Sequence, residues 1–246
     1  MLRLVRIILF KVLGVKLYLR LISCIYIKLV NLGWGKAKYP ELHYLKNIIK
    51  PGYNCIDIGA NMGYYSYFLS KYSGQTGKIF AIEPVPLFCK IWEKNTSKSK
   101  YKNLTLFPFA LGEKESQAEM GTPVINGILH HGMTKVITKS ESHYNKTFTV
   151  EMKNPDTLFS KIDKIDFIKI DVEGYESIVV ENMKETIQRH KPLIQSELSG
   201  TKNRLNVIKI ITDLGYSVNY LKDNHFEIAT PEIIETYQND FYFKPN

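Results

Sequence analysis

Beyond residue 51, short apolar runs alternate with stretches of helical spacing. The first run, residues 54–58, stops at Gly59, and apolar side chains then recur three and four apart from Gly63 to about Tyr72. Residues 78–82 form a second run ending at Glu83-Pro84, and a helix is predicted over 86–95, with proline in its first turn. Further strands are predicted over 104–110, 166–172, 192–198, 217–221 and 225–229, and helices over 175–190 and 202–214. Continuous apolar strands separated by helices imply a parallel sheet covered on both faces, an α/β doubly wound fold. Residues 112–160 break the alternation; they are polar, contain Gly121, His130 and His131, and are predicted to form a hairpin or lid over the sheet.

Residues 1–50 read as a separate appendage, a basic amphipathic helical segment preceding a domain over 51–246. Arg3, Arg6, Lys16, Arg20 and Lys28 fall within an arc of roughly 140° on a helix, opposite Leu, Ile, Val and aromatic side chains. The chain has a formal net charge of +9, from 33 basic and 24 acidic residues in 246. Eight of the basic ones precede Glu41, the first acid, so the remaining body carries 25 basic against 24 acidic side chains and is nearly neutral. No basic field is left to hold a phosphate backbone, which argues against a nucleic-acid partner. The apolar stretches of the appendage are too often interrupted by cations for a spanning helix or a signal peptide. Two readings stay open for residues 1–38: contact with an anionic membrane surface, or packing on the domain or a second subunit of a homo-oligomer. Length and composition exclude a disordered chain and a disulfide scaffold. Cys24, Cys55 and Cys89 form no CxxC pair, which suits a cytoplasmic protein, peripheral on the membrane face if the first reading holds.

In doubly wound sheets, ligands bind outside the carboxyl ends of the strands. The loop Asp57-Ile58-Gly59-Ala60-Asn61-Met62-Gly63 turns tightly at Gly59 and opens a helix at Gly63. Position 61 is Asn where a dinucleotide fingerprint has Gly, so the loop suits a smaller anion such as a carboxylate. Glu83 ends the second strand, where a carboxylate can accept two hydrogen bonds from a ribose diol, each worth about 1.5–3 kcal/mol. It would repel a 2′-phosphate. Asp171, Glu173 and Glu176 crowd the end of the fourth predicted strand, and Glu197 ends the fifth.

Five motifs in this order, IDIGANMGYYS, AIEPVP, FALG, DFIKIDVEGYE and PLIQSEL, together with a closing NDFYF, resemble the FkbM-type methyltransferases over roughly residues 50–246. The resemblance implies a class I (Rossmann-like) methyltransferase fold with a seven-strand sheet whose final strand runs antiparallel, S-adenosylmethionine as cofactor, and methylation of a hydroxyl oxygen. It implies that Asp57, Gly59, Ala60, Asn61 and Gly63 hold the methionine end, Glu83 the ribose, and Ala110 and Leu111 the adenine. Residues 115–150 match poorly, and substrate choice is expected there.

An alcohol needs a base to lose its proton, an effect worth about 10²–10⁴-fold. Asp171 and Glu173 are the expected catalytic bases, Glu197 and Glu176 their orienting partners, with His130 or His131 a second source. No metal site is expected, although the same carboxylates offer oxygen ligands to a divalent cation. The acceptor is read as a sugar, glycan or glycolipid hydroxyl. The alternatives are a small natural product as acceptor, a nucleotide-binding oxidoreductase, and a non-catalytic membrane-associated binding protein.

Overall fold

The computed structural model describes residues 2–122, 124–125, 128–129, 134–137 and 146–246. Two helices come first: α1 (Leu2–Asn31), kinked at Gly14, and α2 (Pro40–Ile48). The alternating part follows with β1 (Cys55–Ile58), α3 (Tyr64–Ser73), β2 (Ile79–Ile82), α4 (Pro86–Thr96) and β3 (Leu104–Phe107). Strand β3 stops short of the predicted residue 110 because Pro108 has no N–H for the ladder. The chain then leaves for a second layer containing β4 (Ala110–Leu111), β5 (Ser116–Thr122), the short β6 (Val124–Ile125) and β7 (Ile128–Leu129), β8 (Lys135–Val136) and β9 (Lys146–Lys153).

It returns through α5 (Pro155–Phe159), capped by the Asn154 side chain, into β10 (Phe167–Ile170). One helix is predicted over 175–190, but two form, α6 (Glu176–Glu181) and α7 (Lys184–His190). The Asn182 side chain donates to the Ile178 carbonyl at 2.8 Å and offers the backbone an alternative to a continued helix. Then follow β11 (Leu193–Ser196), α8 (Thr201–Asp213), β12 (Tyr216–Lys222), β13 (His225–Ile228), α9 (Pro231–Thr236) and β14 (Phe241–Pro245).

The main sheet has the order β13-β12-β14-β11-β10-β1-β2-β3. Strands β3, β2, β1, β10 and β11 are parallel, and β14 runs antiparallel between β11 and β12. The sheet has eight strands where the family arrangement implies seven. The extra one is β13, which folds back on β12 through Asp223 and Asn224, both at positive φ as a two-residue hairpin requires. The region expected as a lid is a four-stranded sheet, β4-β9-β5-β8, with β5 and β9 antiparallel. His130 and His131 lie outside the described residues.

One face of the main sheet carries Ile56, Ile58, Ile168, Ile170 and Ile194 into a core with α6, α7 and α8. The other carries Cys55, Phe167 and Tyr242 against α1, α2 and α3, where Ile27, Val30, Leu42 and Leu45 are buried. The appendage therefore shares a core with the sheet from about the middle of α1. Its outer side leaves Leu17, Leu21, Ile25, Leu32 and Trp34 exposed. No helix among the described residues is long and apolar enough to cross a membrane.

Candidate active site

The chain runs outward from β1 to β2 and β3, and in the opposite direction from β10 to β11, so the sheet has its topological switch between β1 and β10. Register places Ile58 beside Ile170, and the two following residues, Gly59 and Asp171, face each other across the opening. A Cβ built on Gly59 would fall 1.8 Å from the Asp171 carbonyl oxygen, and φ there is +79°. The glycine is thus required by the close approach of the neighbouring strand end, a reason beyond any ligand. Gly63 starts α3 at φ +87°, with Trp92 packed 3.0 Å from where a Cβ would lie.

Two clefts meet at this switch. The first encloses about 650 Å³, counting the part open to solvent, between the β1 and β2 loops and the second sheet. Glu83 stands in it, 4% exposed. Its Oε2 accepts the Asn61 N–H at 2.7 Å and its Oε1 the Val85 N–H at 2.8 Å. Asn61 holds φ at +50°, which turns its N–H toward that carboxylate. Burial pushes the Glu83 carboxyl up to about 7, opposed by the Val85 and Asn61 hydrogen bonds. Gly59, Asn61, Ala110 and Leu111 line the same cleft, roofed by Met120 and Val136 of the second sheet. Asp57, Ala60 and Gly63, also expected to hold the cofactor, do not line this cleft. Asp57 is buried, accepts the Ser66 hydroxyl at 2.5 Å, and is raised to about 6 by burial, with Ser66 and Lys169 opposing. Ser66 Oγ in turn accepts the Trp92 indole N–H at 2.8 Å.

The second cleft, about 740 Å³ by the same measure, opens toward the N-terminal helices. Asp171 lines both clefts. Its carboxyl is raised by burial, opposed by Lys169. Glu197 stands at the mouth of the second cleft, raised by desolvation and then by the like charge of Asp171. Glu173 lines the first cleft at φ +54°. Glu176 reaches neither. It is 1% exposed, accepts the N–H groups of Val172 at 2.9 Å and Gly174 at 3.1 Å, and is held by Asn203 at 2.6 Å. Its part is to shape the loop that carries Asp171 and Glu173.

The sequence reading missed a buried polar row beneath this cleft. Register aligns Asp57 with Lys169, Lys169 with Gln195, and Gln195 with Tyr242. Lys169 is 2% exposed and lies 3.1 Å from Asp240 Oδ2 and 4.0 Å from Asp171 Oδ2, with the Tyr65 ring 5.1 Å from its Nζ. Burial alone would lower its pKa, but Asp240, Asp171 and Glu197 outweigh that and hold the ammonium above its ordinary range. Gln195 donates to Asp240 at 2.5 Å and to Tyr65 at 2.9 Å. The signal was present in IDI, IKI and IQS: the same middle position of three apolar strands is polar.

This sheet order, with a carboxylate after β2 and a glycine turn after β1, defines a class I methyltransferase fold. The sequence model for the "Methyltransferase FkbM domain" matches residues 57–227, and the chain belongs to that family. Among solved structures it is similar to the methyltransferase FkbM of Methylobacillus flagellatus KT, with TM-score 0.53 and 14% identity over 82% of this chain and 49% of that one. A putative rRNA-methylase of Clostridium thermocellum superposes with TM-score 0.51 and 10% identity, covering 84% and 94%. At such identities the likeness concerns the fold alone. A 60-residue stretch is 40% identical to the ribosomal RNA large subunit methyltransferase E of Buchnera aphidicola subsp. Cinara cedri (strain Cc), covering 24% of this chain and 28% of that protein. The chain thus spans about half the length of the M. flagellatus chain and just over a quarter of the curated relative.

The family implies S-adenosylmethionine, and the first cleft fits it. Each Glu83 oxygen has accepted one backbone N–H and keeps a lone pair for a ribose hydroxyl. Val85, Phe88, Leu111 and Met120 supply apolar walls for a purine.

Proposed function

We propose that the protein is an S-adenosylmethionine-dependent O-methyltransferase acting on a hydroxyl of a sugar, glycan or glycolipid. The observation that carries this reading is Asp171, a residue that lines both the first cleft and the cleft beside it. Bound in the first cleft, the cofactor supplies an electrophilic methyl group on a sulfonium. Glu83 would hold the ribose, Ala110 and Leu111 would border the adenine, and the 59–63 turn would take the methionine end. Asp171 would receive the proton that the acceptor hydroxyl gives up in methyl transfer. Lys169, 4.0 Å away, favours the ionised carboxylate that this step needs. Glu197 at the mouth passes the proton to solvent. Glu173 remains a second base.

Residues 1–38 bring the enzyme to an anionic membrane surface. The exposed apolar residues Leu17, Leu21, Ile25 and Trp34 are interspersed with the exposed cations Lys16, Arg20, Lys28 and Lys36. Such a location suits a cytoplasmic-face enzyme working on envelope precursors.

The test is incubation with methyl-labelled cofactor and a cell-envelope extract. Label is expected in carbohydrate, base-stable as an ether, and absent with Asp171→Asn. Label confined to a small-molecule fraction would move the acceptor to a natural product. No label, with S-adenosylhomocysteine still bound, would leave a non-catalytic binding protein. A thermal shift by NAD in place of S-adenosylhomocysteine would leave an oxidoreductase.

A further inference from the structure

Glu41 is built in an unusual way. It lies in the first turn of α2, where an acid is favoured by the helix dipole when solvated. Here it is 8% exposed, it lines the second cleft, and its Oε1 is buried with no hydrogen-bond partner. An unpartnered buried carboxylate oxygen costs stability, a cost that a hydrogen bond from a ligand would offset. Of the three other buried side-chain oxygens without a partner among the described residues, Gln195 Oε1 and Tyr242 Oη belong to the polar layer under the same cleft, and Tyr216 Oη lies in the core with α6, α7 and α8.

The walls beside Glu41 are aromatic. Tyr26 of α1 packs edge-on against Tyr39 at 5.1 Å and against Tyr64 at 4.8 Å, and all three line the cleft. These rings line the cleft with the acids Glu41, Asp171 and Glu197 and with Lys38, whose ammonium lies 5.1 Å from the Tyr39 ring centroid. Apolar ring surface among charged hydrogen-bonding groups suits a ligand with apolar C–H surface and many hydroxyls.

We infer that the cleft between the N-terminal helices and the ends of β10 and β11 is a binding site for a neutral, polyhydroxylated ring, with Glu41 accepting one of its hydroxyls. The N-terminal segment is then a wall of the acceptor site as well as a covering of the sheet. The inference rests on the methyl-transfer reading in one respect, that the acceptor must reach Asp171.

Saturation-transfer NMR on the full chain, loaded with S-adenosylhomocysteine, tests it with methyl glycosides of glucose, mannose, galactose, fucose and rhamnose as probes. At least one glycoside should show transfer to its ring protons. The signal should fall fivefold or more in Glu41→Gln and in Tyr39→Ala, with the S-adenosylhomocysteine thermal shift unchanged. Glu41→Gln should melt no lower than the parent, because it relieves a buried charge. No transfer from any glycoside to the loaded protein, or full signal in both variants, overturns the proposal. A lower melting point of Glu41→Gln with the glycoside signal intact also overturns it, since Glu41 would then be structural. Loss of S-adenosylhomocysteine binding by the parent would instead strike the methyltransferase reading.

Discussion

Lys169 and Asp240 form an ion pair at 3.1 Å inside the sheet, with the lysine side chain 2% and the aspartate 9% exposed. Removing one partner of a buried pair leaves an uncompensated charge and typically costs about 3–5 kcal/mol. Lys169→Met should therefore lower unfolding stability by about that amount. The double variant Lys169→Met with Asp240→Asn should recover much of the loss, as read by urea denaturation.

Glu83→Gln keeps the shape of a side chain that two backbone N–H groups hold but gives up one acceptor. Calorimetry should show S-adenosylhomocysteine affinity at least about tenfold weaker, the equivalent of one charge-assisted hydrogen bond. Unchanged affinity would remove the ribose from this position.

The Glu83 carboxyl is raised to about 7 by burial, so the folded protein binds a proton there that the unfolded chain has released. Asp57, raised to about 6 by burial, behaves likewise. For a raised acid, stability is greatest below the unfolded pKa of about 4 and is lost as pH rises through the folded value. Apo-protein stability should fall between about pH 4 and 7, with each tenfold difference in proton affinity between folded and unfolded chain worth about 1.4 kcal/mol. A pH series of urea melts checks it. Cofactor affinity should move oppositely, strengthening from about pH 6 to 8 as Glu83 ionises, and Glu83→Gln should flatten that slope.

Gly59→Ala should be among the most damaging single changes. Its Cβ would overlap the Asp171 carbonyl oxygen and its φ is +79°. A loss of more than about 2 kcal/mol is expected, with strained backbone and displaced strand ends as the mechanism. A stable, cofactor-binding Gly59→Ala protein would contradict the register described between β1 and β10.

Vesicles rich in phosphatidylserine should sediment the protein at low salt and release it at high salt, each cation near the surface contributing about 1 kcal/mol. Leu21→Glu with Ile25→Glu should abolish sedimentation while leaving S-adenosylhomocysteine binding intact, since both side chains are exposed on the outer side of α1. Sedimentation unaffected by these changes would remove the helix face as the contact.

Much of the framework was legible because it is local. Apolar runs, Gly59, Pro86 and the strand-end acids announce β1, β2, α4, β10 and the loops between them. The polar row was not legible as a unit, because Asp57, Lys169, Gln195 and Asp240 meet only through sheet pairing across long sequence separations. Glu176 was readable as an acid near the site, but its role depends on Asn203 and on the backbone N–H groups of Val172 and Gly174. The second sheet was legible only as a hairpin or lid over residues 112–160, and the break at Asn182 was hidden by an uninterrupted helical pattern.

Charge and packing divide this chain in different places. Net charge changes character near Glu41, and a protein chemist trimming a sticky leader would cut there. Ile27 and Val30 are already inside the core formed with Phe68, Leu69 and Tyr242. Such a cut would peel one layer off the fold and leave Leu42 and Leu45 facing water. The useful boundary lies farther upstream, near the kink at Gly14, where the helix changes direction before it joins the body.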